Sequence, residues 1–351
     1  MIIKESELYS ICFNILTNYG SDPGEAELVA RHLVRADLTG HSSHGAGMLP
    51  TYVRNVNNGL LHPGTGARIL KDGGSILSFD GGRGYGQRVA AEAMAMAIER
   101  CRETGLVMMA LRNAHHIGRV GTYGEQSIAA GFVSLHFVNV IDHSPLVAPY
   151  GGSDARISTN PLCLAMPATG ETPAILLDMA TSKIALGKAR VAMERGDEVA
   201  ADTLLDPAGQ PTRDPSVMFS NPRGAILPFG DYKGYGLAFF CEMLAGILTG
   251  GGTIQPGNER RGGIVNNMLT IIVDPSRLVD HAWMESELDA LVRYVKESAP
   301  GCKGPVKVAG DPERETAEQR GQQGIPLTDS TWMELLRIGS ELGIDLQPCS
   351  P

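Results

Sequence analysis

Four of the nine histidines fall in two short, glycine-bounded clusters, His41-Ser42-Ser43-His44-Gly45 and His115-His116-Ile117-Gly118. Imidazole titrates nearest neutral pH, so a loop-held histidine can both give and take a proton. Glycines beside it let a ligand approach the backbone closely. The competing reading is that each histidine only satisfies a hydrogen bond in a packed turn, and two clusters of the same make-up weigh against it. No carboxylate or thiolate sits at a fixed spacing beside either cluster, so the pattern does not specify a metal site.

Two further segments could hold an anion. Asp178-Met179-Ala180-Thr181-Ser182 follows an apolar stretch, and its Thr181 and Ser182 are N-cap candidates for a helix expected from Lys183 to Arg195. Phe229 to Gly236 sets Lys233 among glycines, suited to a pyrophosphate or carboxylate, though a solvated turn lysine would look the same. A G-x-G-x-x-G fingerprint is absent. Gly82-Arg83-Gly84-Tyr85-Gly86 comes nearest but its spacing fails, which argues against a Rossmann crevice and leaves nicotinamide binding on another fold open.

The elements that must position these groups are legible by period. Leu8, Ile11, Cys12 and Ile15, then Ala26, Val29, Leu33 and Val34, mark two helices that end before His41, and Leu49, Tyr52 and Val53 mark a third. Residues 67–70 and 75–79 alternate about Lys71-Asp72-Gly73-Gly74 as a hairpin. A long helix after Gly86 precedes a strand over Leu106–Leu111, which delivers Asn113 to His116 at its C-terminal end. Further strands are expected at Phe132–Val140, Leu162–Met166, Ala174–Leu177 and Met268–Val273, with helices at Gly234–Thr249, Glu285–Glu297 and Thr331–Leu342. An exposed loop is expected over 250–263. The fold class is α/β (α+β).

Formal charge is 30 minus 39, or -9, which argues against nucleic acid and anionic membranes as partners, and no apolar run of membrane-spanning length occurs. The start of the chain lacks a signal-peptide layout, so a cytoplasmic protein is expected. Six scattered cysteines read as reduced core thiols. Glycine, at 43 of 351 residues, is frequent enough to imply many tight turns and close backbone approaches.

Ser43-His44-Gly45, Asn113 to Gly118, Val147 to Gly152, Thr159-Asn160-Pro161, Asp178 to Ser182, Gly187-Lys188, Lys233-Gly234 and Gly324 to Leu327 occur in an order that resembles the malate/L-lactate dehydrogenase family. That family is unrelated in fold to ordinary lactate and malate dehydrogenases. Within it, the chain is most similar to the hydroxycarboxylate dehydrogenase B type, which shares Met48 and the His-His-Ile-Gly-Arg run. The resemblance implies a non-Rossmann mixed sheet layered with helices, with a helical domain from 1–66 and 312–351 and a cofactor-binding and catalytic domain over 67–311. It implies a cytoplasmic homodimer that moves a hydride between NAD or NADP and a small 2-oxo/2-hydroxy acid. Active-site histidines then match His44 and His116, with His116 as general acid/base and His44 and Ser43 orienting the substrate oxygen. Cofactor contacts match Thr159, Asn160, Asp178, Met179, Ala180, Thr181, Ser182, Tyr232, Lys233, Gly310 and Asp311. Most of the family has arginine at Met48. Arg119, three residues after His116, would supply the missing carboxylate fork if that segment is helical, and Met48 would leave a less polar substrate wall. Alternatives are a cyclic imino acid (pyrroline or piperideine carboxylate) reductase of the same family, a metal-dependent hydrolase using the four histidines, and a non-catalytic binding protein.

Overall fold

The computed structural model describes residues 1–344 apart from 300, 302 and 303; Cys302 and Cys349 therefore lie outside the described residues. The helices are α1 (Glu5–Asn18), α2 (Pro23–Leu38), α3 (Leu49–Asn57), α4 (Gly86–Thr104), α5 (Gly121–Ala129), α6 (Leu186–Arg195), α7 (Tyr232–Cys241), α8 (His281–Lys296), α9 (Asp311–Gln323) and α10 (Asp329–Glu341). The strands are β1 (Ile2–Ile3), β2 (Arg68–Asp72), β3 (Ile76–Asp80), β4 (Leu106–His115), β5 (Val133–Ile141), β6 (Leu162–Met166), β7 (Ile175–Met179), β8 (Leu204–Leu205), β9 (Pro211–Thr212), β10 (Ala225–Ile226), β11 (Val265–Val273) and β12 (Ile325–Pro326).

Seven strands form one mixed sheet in the order β2-β3-β4-β11-β5-β6-β7. Only β3 and β4 run parallel; the other neighbours are antiparallel. This is not the doubly wound parallel sheet of a dinucleotide crevice. Strand β4 lies inside the sheet and carries an almost continuous apolar run, as a strand covered on both faces must. Its C-terminal end is irregular. Ala114 pairs with Asn266 and Leu111 with Met268, so Arg112 and Asn113 together oppose Asn267, and Asn113 takes a left-handed φ of 55°. Such a bulge re-aims the side chains that follow it, here His115 and His116.

Helices α1 to α3 and α10 pack on one core with Ile3, Leu61, Tyr85 and Ile325, while α4 and α5 pack on the sheet through Ala93, Met94, Ala97, Val107 and Met109. A third core, around Leu146, Val147, Ala189, Leu204 and Ile226, joins α6 to the small sheet of β8, β9 and β10. Helix starts follow capping chemistry: the Asp22 carboxylate accepts from Glu25 N, with Pro23 at the first helical position. No helix among the described residues is long and apolar enough to cross a membrane.

Candidate active site

The histidine cluster forms where the end of β4 meets α3, the start of α4 and two 3-10 turns, Ser42–His44 and Ala46–Met48. The turns are pinned from below. The buried Asp37 carboxylate accepts from Ala46 N at 2.7 Å, and a β-carbon on Gly45 would fall 2.1 Å from Asp37 Oδ2. Only glycine therefore fits there. Gly86 plays the same part for α4, since a β-carbon there would meet the His115 carbonyl oxygen at 2.1 Å.

His44 and His116 face each other, with Nδ1 of His44 3.1 Å from Nε2 of His116 and their rings stacked at 5.2 Å. On its other side His116 Nδ1 lies 2.7 Å from the Tyr52 hydroxyl, which accepts from Gln87 Nε2 at 2.7 Å. Burial, then the neighbouring His44 and His115, hold the His116 pKa well below its ordinary value, and burial brings His44 down to about 4. Both rings are neutral at pH 7. The other two histidines turn away, His41 to Glu313 at 3.4 Å and His115 to the Asn55 amide at 2.8 Å. The four thus do not converge, and no group of three or more metal-ligating side chains occurs among the described residues. Ser43 borders the same turn against α6, where a β-carbon on Gly187 would come within 3.0 Å of the Ser43 Cβ. Met48 is half-buried against the helical core.

Two expectations are corrected. Residues 116–120 are not helical, because Gly118 takes a left-handed φ of 73° and α5 starts only at Gly121. Arg119 therefore does not share a face with His116. It is 2% exposed and lies 3.0 Å from Glu125 and 3.7 Å from Asp178, so the carboxylates beside it are internal ones. Arg119→Ala is accordingly expected to act on stability: Glu125 keeps Arg35, but Asp178 loses its nearest cation, and the cost is about 3 kcal/mol, the low end for a broken buried pair because Asp178, its pKa already raised by burial, can protonate. Urea unfolding of the variant checks this; unchanged stability with a raised KM would restore the anchoring role.

Thr181 and Ser182 are likewise not helix caps. Helix α6 begins at Leu186 with Ala185 before it, Thr181 Oγ1 donates to the carbonyls of Thr159 and Asn160 at 3.0 Å each, and Ser182 Oγ donates to the Ile184 carbonyl. These bonds stitch 159–160 to 181–182, and Phe229 N donating to the Thr181 carbonyl ties on the segment that leads to Tyr232 and Lys233. Met179 and Ala180 are half-buried between them. Tyr232 is exposed, and Lys233 Nζ sits 6.0 Å from its ring centre without an ion pair among the described residues. Gly310 is left-handed at the start of α9, and Asp311 is held by Val308 N, Lys296 and Arg314.

A buried polar chain links these segments, and periodicity did not reveal it. Asn113 N and Ile117 N donate to Asn267 and Asn266; Asn267 donates to Asn139; Asn139 and Asn160 donate to Glu242 at 3.1 and 2.7 Å. Glu242 starts a π-helical turn, Glu242–Ile247, a distortion common at functional sites. A lone acid inside the apolar stretch Leu237–Ile247 was the available signal.

The malate/L-lactate dehydrogenase family model matches residues 3–336. The chain belongs to that family. It is 41% identical over 339 residues to hydroxycarboxylate dehydrogenase B of Escherichia coli K12, covering 96% of this chain and 93% of that protein. It is 41% identical over 320 residues to an L-lactate dehydrogenase of Cupriavidus necator, covering 91% of each. The sulfolactate dehydrogenase structure from Methanocaldococcus jannaschii superposes with a TM-score of 0.85 at 30% identity, over 99% of this chain and 98% of that one. The protein is a pyridine-nucleotide-dependent oxidoreductase acting on the CH-OH group of hydroxy acids.

Proposed function

We propose that the protein reduces 2-oxo acids to 2-hydroxy acids, with His116 handing the proton from Nε2 to the substrate oxygen. The observation that carries this reading is the His44–His116 pair, two neutral imidazoles 3.1 Å apart where only 7% of His116 reaches solvent. As the carbonyl carbon is reduced its oxygen gains charge, and a donor fixed in a dry site stabilises that charge far better than water does. His44 and Ser43 orient the same oxygen. Met48 gives the pocket a less polar wall, which favours substrates with an apolar side chain.

A bound pyridine nucleotide supplies the hydride. The residues that would hold it fit such a group: Asn160 Oδ1 is a buried acceptor with no partner, ready for an N–H, and Lys233 is an exposed cation ready for a phosphate. Thr159 and Asp178 to Ser182 are tied to Asn160 through Thr181, Tyr232 adjoins Lys233, and Gly310 and Asp311 are the remaining proposed contacts. Homodimerisation is supported by the bare apolar face of α7 and the π-turn, where Leu237, Phe239, Phe240, Ile247 and Leu248 are exposed; sedimentation velocity tests it. The free, buried thiols of Cys12, Cys101, Cys163 and Cys241 suit the cytoplasm.

Assaying a panel of open-chain 2-oxo acids and cyclic imines with NADH and with NADPH tests the reading. Turnover confined to the imines would replace it. Since His116 is neutral in the free enzyme, the proton must arrive with the anionic substrate, whose charge favours imidazolium. Binding an unreactive 2-oxo acid analogue at pH 7 to 8 is therefore expected to take up close to one proton per site, read by calorimetry in buffers of different ionisation enthalpy. No uptake would assign the proton to another donor.

A further inference from the structure

We infer that Tyr52 is a positioning residue that fixes which nitrogen of His116 carries the proton, and that Gln87 keeps Tyr52 in that role. The inference rests on reading His116 as the acid. It follows from counting donors in a dry pocket. Tyr52 and Gln87 are both fully buried, so neither has water as an alternative partner. The Gln87 amide donates to the Tyr52 oxygen at 2.7 Å, and His116 Nδ1 lies 2.7 Å from the same oxygen. A phenol has one proton to give, and with the Gln87 amide donating to the Tyr52 oxygen the acceptor paired with that hydroxyl is His116 Nδ1. Were Nδ1 protonated instead, the Tyr52 oxygen would receive two N–H groups while its own hydrogen pointed into the core unpaired, which buried groups avoid.

Neutral His116 is then the tautomer with its proton on Nε2, the nitrogen that faces His44. That is the nitrogen a substrate oxygen must meet, so His116 already turns an N–H toward the His44 side. A carboxylate at the Tyr52 position would do the reverse and hold the proton on Nδ1. Helix α3 presents Tyr52 and the first turn of α4 presents Gln87, and Gly86 lets α4 start directly against His115–His116.

The test is the tautomer itself, read on the intact enzyme labelled with 15N-histidine above pH 7, with the His116 signals assigned by their loss in His116→Asn. Expected is a protonated Nε2 and a bare Nδ1; a proton on Nδ1 overturns the inference whatever the activity. Tyr52→Phe should mix the tautomers and lower kcat about 10- to 100-fold, the scale for losing the partner that orients a working histidine, while KM for the 2-oxo acid stays within about threefold. An unchanged kcat also overturns it. If Tyr52→Phe does not fold, the wild-type spectrum decides alone. Failure of the acid assignment is separable: His116→Ala would then retain turnover while the wild-type spectrum still reported the tautomer.

Discussion

His116→Ala is expected to lower kcat for 2-oxo acid reduction by about 100- to 10,000-fold, roughly 3 to 5 kcal/mol of transition-state stabilisation. The size follows from the setting. A surface acid is replaced by water at little cost, but His116 is almost wholly enclosed, between His44 at 3.1 Å and Tyr52 at 2.7 Å. Truncation leaves an alkoxide forming in a dry pocket with no proton on offer. Cofactor affinity should survive, because Asn160 and Lys233 are carried by other segments, Asn160 reaching the end of β4 through the asparagine–Glu242 chain. Steady-state kinetics and a fluorescence titration of the reduced nucleotide measure the two quantities. Near-normal turnover would pass the role to His44. Loss of nucleotide binding alongside turnover would mean that the side chain holds the site together rather than serving as its acid.

The parts of this fold that bury one apolar face were readable from the sequence. The helices before His41 and strand β3 carry a period that burial imposes, while β4 and β6 were readable as short apolar runs. Helix α9 was not readable, because Asp311–Gln323 has no buried residue and thus no apolar stripe. The strands of the small sheet are two residues each, too short for any period to show. At the site, residue type was a good guide and direction was not. His44 and His116 meet, but His41 and His115 have the same neighbours in sequence and point elsewhere, a choice made by the bulge at Asn113 and by the 3-10 turns. Arg119 misled for a related reason: one left-handed glycine, Gly118, breaks the helical spacing on which its anchoring role depended. Tyr52 sat in plain view on an apolar stripe, where its ring read as core and its hydroxyl went unused.

Acidification should destabilise this protein from about pH 6.5 downward, above the usual carboxylate range. Burial depresses His32 and His44 to about 4 and His115 and His136 to about 3, whereas in the unfolded chain each titrates near 6.5. A group whose folded pKa is depressed in this way contributes stability that is present above pH 6.5 and is lost as pH falls toward the folded value, because the unfolded chain then binds the extra proton. Each contributes a slope of about 1.4 kcal/mol per pH unit. Two carboxyls oppose this. Burial raises Asp37 to about 6 and also raises Asp178, so as pH falls the folded state takes up protons there before the unfolded chain does and gains stability. The depressed histidines, His116 among them, outnumber the two raised carboxyls, so the balance is a net loss of stability as pH falls from 6 toward 4. Urea midpoints at pH 7, 6 and 5 should fall steadily, and a flat or rising series would show that these rings are already charged in the folded protein. His136 allows the effect to be assigned. It lies inside the sheet between Ser134 and Thr270, at 2.9 Å from each hydroxyl, far along β5 from the catalytic turn. His136→Asn removes one titrating group but keeps a polar partner for both hydroxyls, so it should flatten the slope by about 1.4 kcal/mol per unit while leaving turnover as it was.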